Sequence, residues 1–441
     1  MQQRQSWRSW SNNSGSGREM AIEYFKRYFG YTFWVGLEAV VFVGLTRLVI
    51  FPVAAYLLGT EEFGLFIFSL GIVMMVGKAP SGGLETGVIR NMARLEEPVK
   101  DILISTGVRL CKIAMLVIVS VGIAVLGIVR YFRQADAKII WCLVPLLILL
   151  YWWNLFELQM VRYRVERRFA LRAAWYSFLG VLLFTTIPAA IFGGVVGMAW
   201  GYMLGYMVTH IILSRRQGIL FRKSAYDVKL AAVLKHAWFH LTVAGVFALS
   251  SAYIYRVILG VFQPIQYVTI LWGATSIIFL CVAPLNILSS LLLSMLGSFA
   301  RLEDVGKRQR YTVLAAAVLI AVVAPLVAFF AGPFILSVLF PEFANESAQI
   351  LRLIIMVIPC VVVTSFSRPF ITKFGPIKLI PILNFVTLLA HLLPALILIP
   401  RFGMKGVVIS YNVGHGLTAV ARLGALFWTF KFGRGSEPKI N

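Results

Sequence analysis

The chain has 441 residues, 60% of them hydrophobic and only 13% charged, against about 25% charged in an ordinary soluble domain. That leaves too little polar side chain to cover a soluble protein of this size, so a soluble enzyme, a disordered chain and a secreted disulfide scaffold are excluded. A net charge of +23, from 41 Lys+Arg against 18 Asp+Glu, would suggest nucleic acid in a soluble protein; in a membrane protein it points first to topology.

Residues 1–18 are polar and low in complexity and are expected to form a loose tail, with Met1 and Met20 both admissible as the start. Residues 19–30 mix aromatics with charges and are expected to lie at the interface as an amphipathic helix. The first apolar run, 31–58, is far longer than the roughly 7–15 residues of a secretory signal core. A spanning helix takes about 20 mainly apolar residues. By that measure twelve are predicted: 31–58, 63–80, 108–129, 138–159, 173–192, 194–214, 237–260, 268–294, 312–332, 347–367, 377–400 and 405–430. The class is an all-α integral membrane protein, because lipid offers backbone groups no water to bond.

The basic residues follow these spans. With both termini on one side, and with Lys78, Arg109, Lys112, Lys138, Lys378 and Lys405 near span ends counted with the adjoining segments, 32 of the 41 lie on that side, five lie on the other, and four (Arg47, Arg256, Arg352 and Arg422) remain inside spans. Such a split is expected of a multi-pass membrane protein with both termini in the cytoplasm. Because the charges are spread over seven segments, nucleic acid is not expected as a partner. The clusters Arg162–Arg172 and Arg215–Lys235 suit anionic lipids instead.

The expected organisation is a tail and interfacial helix (1–30), a six-helix lobe (31–214), a cytoplasmic linker (215–236), a second six-helix lobe (237–430) and a tail (431–441). The two lobes would enclose a central cavity. An internal echo supports them: Leu58–Phe66, LGTEEFGLF, parallels Leu259–Tyr267, LGVFQPIQY, and each joins the first two helices of its half. Six helices per half would make the repeats parallel. No loop is long enough for a soluble catalytic domain, so the chain is not expected to be an enzyme. Cys111, Cys142, Cys281 and Cys360 lie in apolar runs without metal-ligand spacing, so neither a metal nor a cofactor is expected.

Several stretches resemble one family. RLVIFPVAAYLLGTEEFGLFIFSL (47–70) is similar to the first hairpin of polysaccharide-type (O-antigen) flippases, and GGLETGVIRNMAR (82–94) to the segment after their second helix. YRVILGVFQPIQYVTI (255–270) resembles their seventh-to-eighth hairpin. AQILRLIIMVIP (348–359) and NFVTLLAHLLPALILIPRFGMKGVVIS (384–410) resemble their last three helices. The family belongs to the multidrug/oligosaccharidyl-lipid/polysaccharide exporter superfamily. The resemblance implies translocation of an undecaprenyl-diphosphate-linked oligosaccharide, with glycosyltransferases and a glycan polymerase as partners. One departure stands out: where relatives often read Asp-Arg in the seventh helix, this chain has Tyr255-Arg256. Lipid II flippases carry about two more helices by the same span measure, which argues against that branch.

A doubly anionic diphosphate requires cations in a hydrated cavity, and intramembrane charges are where function is to be sought. Arg47, Arg256 and Arg422 are the candidate substrate ligands, suited by their forked donors. Arg422 has Glu157 or a lipid phosphate as alternative partners. Arg352 is expected to snorkel or pack. Glu38 is the candidate carboxylate for ion coupling. His391 is a second coupling candidate, taken as the one histidine near a span centre. Pro52, Pro284, Pro359, Pro381 and Pro394 would kink their helices. Two competitors remain: a cation-coupled multidrug antiporter of the same fold, which would want acidic cavity residues, and a membrane glycan polymerase or ligase, which would want a large external loop.

Overall fold

The computed structural model describes residues 30, 33–34, 36–38, 41–42, 44–77, 81–85, 88, 97–133, 137–166, 168–217, 227–296, 307–376 and 378–432. The expected tail at 1–18, nearly all of the interfacial segment, most of GGLETGVIRNMAR and the middle of the linker lie outside the described residues. Among the described residues every regular element is helical.

Nine helical runs among the described residues are long and apolar enough to cross a membrane. Three of them reverse at a glycine with positive φ and so hold two spans each: Gly59 (φ 72°), Gly194 (φ 56°) and Gly403 (φ 53°). The result is twelve helices. Helices α1 (45–58) and α2 (60–76) share the run Leu45–Val76. Then come α3 (Glu97–Arg133) and α4 (Ala137–Val165), followed by α5 (169–193) and α6 (195–216). The second lobe holds α7 (Val228–Phe262), α8 (Gln266–Leu296) and α9 (Lys307–Leu339). It continues with α10 (Ala344–Ile354, resumed at Val357–Phe374), then α11 (379–402) and α12 (404–432). Asp227 caps α7, its carboxylate accepting from the Leu230 amide at 2.9 Å.

The tenth helix extends beyond the predicted 347–367 to Phe374. Arg368-Pro369 reads as a stop in sequence, yet Pro369 is accommodated inside the helix. Arg368 is therefore a helical residue rather than a loop cation.

The bundle has two unlike ends. The turn end carries the three glycine reversals and the 263–265 turn; the basic end carries Arg162, Arg164, Arg168, Arg172, Arg215 and Arg216. At the turn end the echoed segments do the same work in both lobes. A Cβ on Gly194 would meet Glu62 Oε2 at 3.2 Å, and one on Gly403 would meet Gln263 Oε1 at 3.1 Å. Glu62 and Gln263 are equivalent positions of the echo, so each lobe seats its last hairpin on its first in the same way.

The lobes meet along α1 and α2 against α7 and α8. Gly64 lies so close to α8 that a Cβ there would come within 2.6 Å of the Ile265 carbonyl oxygen. Thr269 Oγ1 donates to the Thr60 carbonyl at 2.7 Å. Just inside this contact is an aromatic seal. Phe51, Phe63, Phe66 and Tyr202 come from the first lobe; Trp272, Phe340 and Phe343 come from the second. Trp272 joins the two sets, with ring centroids 5.6 Å from Phe51 and 5.2 Å from Phe63, and it is 1% exposed. Edge-on contacts of this kind are favourable beyond the area they bury. The third helix of each lobe instead faces outward, presenting Ile113, Leu116, Val117 and Val121 on α3 and Leu314, Val318, Leu319 and Val322 on α9.

Candidate substrate site

Arg47 stands on a π-helical stretch, Leu45–Ile50, that opens α1. Widened turns of this kind occur often at functional sites, and nothing in the residue pattern announces this one. The Arg47 side chain crosses the lobe boundary. Its Nη1 reaches Ser276 Oγ on α8 at 3.4 Å, and its guanidinium lies 3.9 Å from the Phe279 ring centroid, a cation–π distance.

Arg256 comes to the same place from α7. Its Nη2 donates to Thr275 Oγ1 at 3.4 Å, and its guanidinium lies 5.3 Å from the Tyr253 ring. Its Cβ would be 3.8 Å from a Cβ placed on Gly71 of α2, so it too stands where the lobes touch. Thr275 and Ser276 are consecutive, and the two guanidinium groups converge on them. Tyr202, Tyr253 and Tyr411 surround the pair, and Arg47 feels the charge of Arg256 directly. Among the described residues neither arginine has an ion-pair partner. Like charges placed side by side without a carboxylate repel, and an anion between them would remove that repulsion.

Behind Arg256 lies a neutral network. Tyr255 Oη is 2.9 Å from the Ser410 carbonyl and 2.7 Å from His391 Nδ1. A carbonyl only accepts, so the single phenolic proton goes to Ser410 and the His391 proton is assigned to Nδ1. His391 Nε2 is then free to accept from Thr418 Oγ1 at 3.4 Å. Tyr255 thus ties α7 to α11 and α12 without charge.

His391 is not alone. The His415 ring, on α12, lies 4.6 Å from that of His391 and 4.7 Å from that of Tyr411. His391 is not the one histidine near a span centre, since His415 is equally close to the centre of 405–430. The spacing Tyr411-x-x-x-His415 puts both on one helix face and is the signal that could have found it.

The other candidates lie elsewhere. Glu38 is ion-paired, its Oε1 accepting from Arg172 Nη2 at 2.9 Å, and both side chains are largely buried. Glu157 accepts from Trp153 Nε1 at 3.3 Å in the same lobe, while Arg162 pairs with Glu166 at 2.7 Å and Asp101 at 3.3 Å. Arg352 lies 5.9 Å from the Phe329 ring, a packing position. Arg422 does not meet Glu157: its Nη2 donates to Asn384 Oδ1 at 2.6 Å. Nor does it join Arg47 and Arg256. Tyr255 is level with Ser410, and Arg422 is twelve residues further along α12 toward the basic end, about 18 Å at 1.5 Å per residue.

The sequence matches no family model and no curated protein. Solved structures do share the fold. An inward-facing multidrug resistance transporter of the MATE family, in the MOP superfamily, aligns over 89% of this chain and 97% of its own with TM-score 0.68 and 14% identity. The lipid II flippase MurJ in an inward closed conformation aligns over 90% and 87% with TM-score 0.71 and 12% identity. A MOP superfamily transporter from Pyrococcus furiosus, described as having a binding pocket of reverse polarity, aligns over 91% and 95% with TM-score 0.65 and 14% identity. The chain thus has the twelve-helix, two-lobed fold of MOP superfamily transporters.

Proposed function

We propose that the protein carries a diphosphate-linked lipid oligosaccharide across a bacterial cytoplasmic membrane, for surface polysaccharide synthesis, by alternating rocking of its two lobes. The observation that carries this is the pair Arg47 and Arg256, one from each lobe, converging at the lobe boundary beside tyrosines and, among the described residues, without a carboxylate partner. Two guanidinium forks match the oxygens of a diphosphate, and each charge-assisted hydrogen bond to such a group contributes about 1.5–3 kcal/mol. Because the ligands come from both lobes, rocking would separate them and weaken their joint hold once the headgroup has crossed.

The aromatic seal around Trp272 fits the same scheme, since it closes the turn end while the arginines lie one helical turn inside it. The basic end is then the cytoplasmic end. A drug antiporter is less well suited, because an organic cation would be repelled by this pair. A binding pocket of reverse polarity is described for the Pyrococcus furiosus neighbour, which supports a reading in which pocket charge varies on this fold. The test is export of surface glycan in cells whose only copy is Arg47→Ala or Arg256→Ala. Loss of glycan at normal protein level supports the proposal; unchanged glycan with both variants refutes it.

A further inference from the structure

We infer that Arg368 and Arg422 form a second phosphate-binding site, separate from Arg47 and Arg256 and nearer the basic end. This rests on the transport role proposed above only for the direction of entry; the site itself rests on its own geometry. Arg368 on α10 is exposed although Ser367, Pro369 and Phe370 around it are buried, so its side chain is accessible rather than packed away. Arg368 and Arg422 stand level on neighbouring helices, each three residues before Ile371 and Ala425, which pack in one cluster, and Arg422 feels the Arg368 charge. Among the described residues Arg368 has neither a hydrogen-bond nor an ion-pair partner.

Arg422 is held for presentation. Asn384 Nδ2 donates to the Ala244 carbonyl of α7 at 2.9 Å, which fixes the amide so that its Oδ1 faces Arg422 Nη2 at 2.6 Å. That is the one hydrogen bond of Arg422 among the described residues, and its Nε is buried with no partner at all. A guanidinium has five N–H donors, so most of this one's capacity is unspent. Two adjacent cations, one rigidly oriented and one exposed, with donors left over, are matched by a phosphate oxyanion. A single diphosphate spans only a few ångströms, so it cannot bridge the roughly 18 Å between the two levels. The two sites are therefore occupied in succession, or by different phosphates. A headgroup arriving from the basic end meets Arg368 and Arg422 first.

The test is calorimetric titration of the purified full-length protein, in nanodiscs of phosphatidylcholine, with farnesyl diphosphate. Wild type is expected to show two classes of site. Arg368→Gln/Arg422→Gln should lose one class, and Arg47→Ala/Arg256→Ala should keep it. Should Arg422→Gln impair folding, Arg368→Gln alone, at a position without partners, should weaken that class about tenfold or more. Superimposable isotherms for wild type and the Arg368 variants overturn the inference. Loss of a class with Arg368→Gln/Arg422→Gln but none with Arg47→Ala/Arg256→Ala leaves this site standing and removes the central one. Repeating the titration with phosphatidylglycerol in the disc identifies the source. If that lipid abolishes only this class, a bulk phospholipid phosphate occupies the site; if the class survives, the lipid diphosphate does.

Discussion

Arg47 and Ser276 meet across the lobe boundary, guanidinium to hydroxyl at 3.4 Å, and they bind α1 of one lobe to α8 of the other. A hydroxyl is a weak partner for a buried cation. The contact therefore orients Arg47 without neutralising it, leaving its charge for an anion.

The first prediction follows from that geometry. Arg47→Ala should reduce export by about 10- to 100-fold, the equivalent of one lost charge-assisted contact. Arg47→Lys should recover only part, because an ammonium cannot bind two oxygens with a planar fork. Surface glycan measured against membrane protein level checks both. Full activity of Arg47→Ala would mean that the site does not hold substrate.

The lobe contact at the turn end should be transient. In a background lacking the four native cysteines, Thr60→Cys/Thr269→Cys should cross-link readily, since the Thr269 hydroxyl touches the Thr60 carbonyl at 2.7 Å. Oxidation should stop transport and reductant should restore it. Undiminished transport in the cross-linked protein would show that the turn end does not open.

Tyr255 ought to matter for stability. Tyr255→Phe removes the hydroxyl shared by Ser410 and His391 and leaves buried polar groups unpaired, at about 1–3 kcal/mol. A lowered thermal unfolding midpoint in detergent is the readout. Tyr255→Asp should be worse, because it puts a carboxylate beside Arg256 and cancels the charge that the anion requires.

The Glu38–Arg172 pair is a structural tie in the first lobe. Glu38→Gln leaves Arg172 without its counter-charge and should destabilise by about 3–5 kcal/mol. Glu38→Gln/Arg172→Gln should regain much of that loss. If Glu38→Gln instead folds normally and loses only its response to an imposed proton gradient, Glu38 acts in coupling.

Much of the fold was legible because lipid makes apolar run length and basic-residue placement nearly sufficient. The echo between Leu58–Phe66 and Leu259–Tyr267 located the two turns that meet each other, and Glu62 and Gln263 show why it persists: each seats a hairpin glycine of its own lobe. Arg47 and Arg256 could be found as cations inside spans. Their convergence could not, since it depends on the π-helical widening at Leu45–Ile50 and on the approach of α1 to α8. Arg368 fell just outside the predicted span 347–367, and His415 was passed over although it lies as near its span centre as His391. Arg422 shared with the other two only its place inside a span, and the register between α7 and α12 sets it apart from them.

The most direct measurement is translocation itself. Purified protein in liposomes, loaded on one leaflet with a fluorescent polyprenyl-diphosphate oligosaccharide, should move the label to the other leaflet. Arg47→Ala/Arg256→Ala should reduce this to the rate of protein-free vesicles. Equal rates for wild type, the double variant and empty vesicles, together with uptake of a cationic dye by wild type alone, would contradict an anionic lipid-linked cargo.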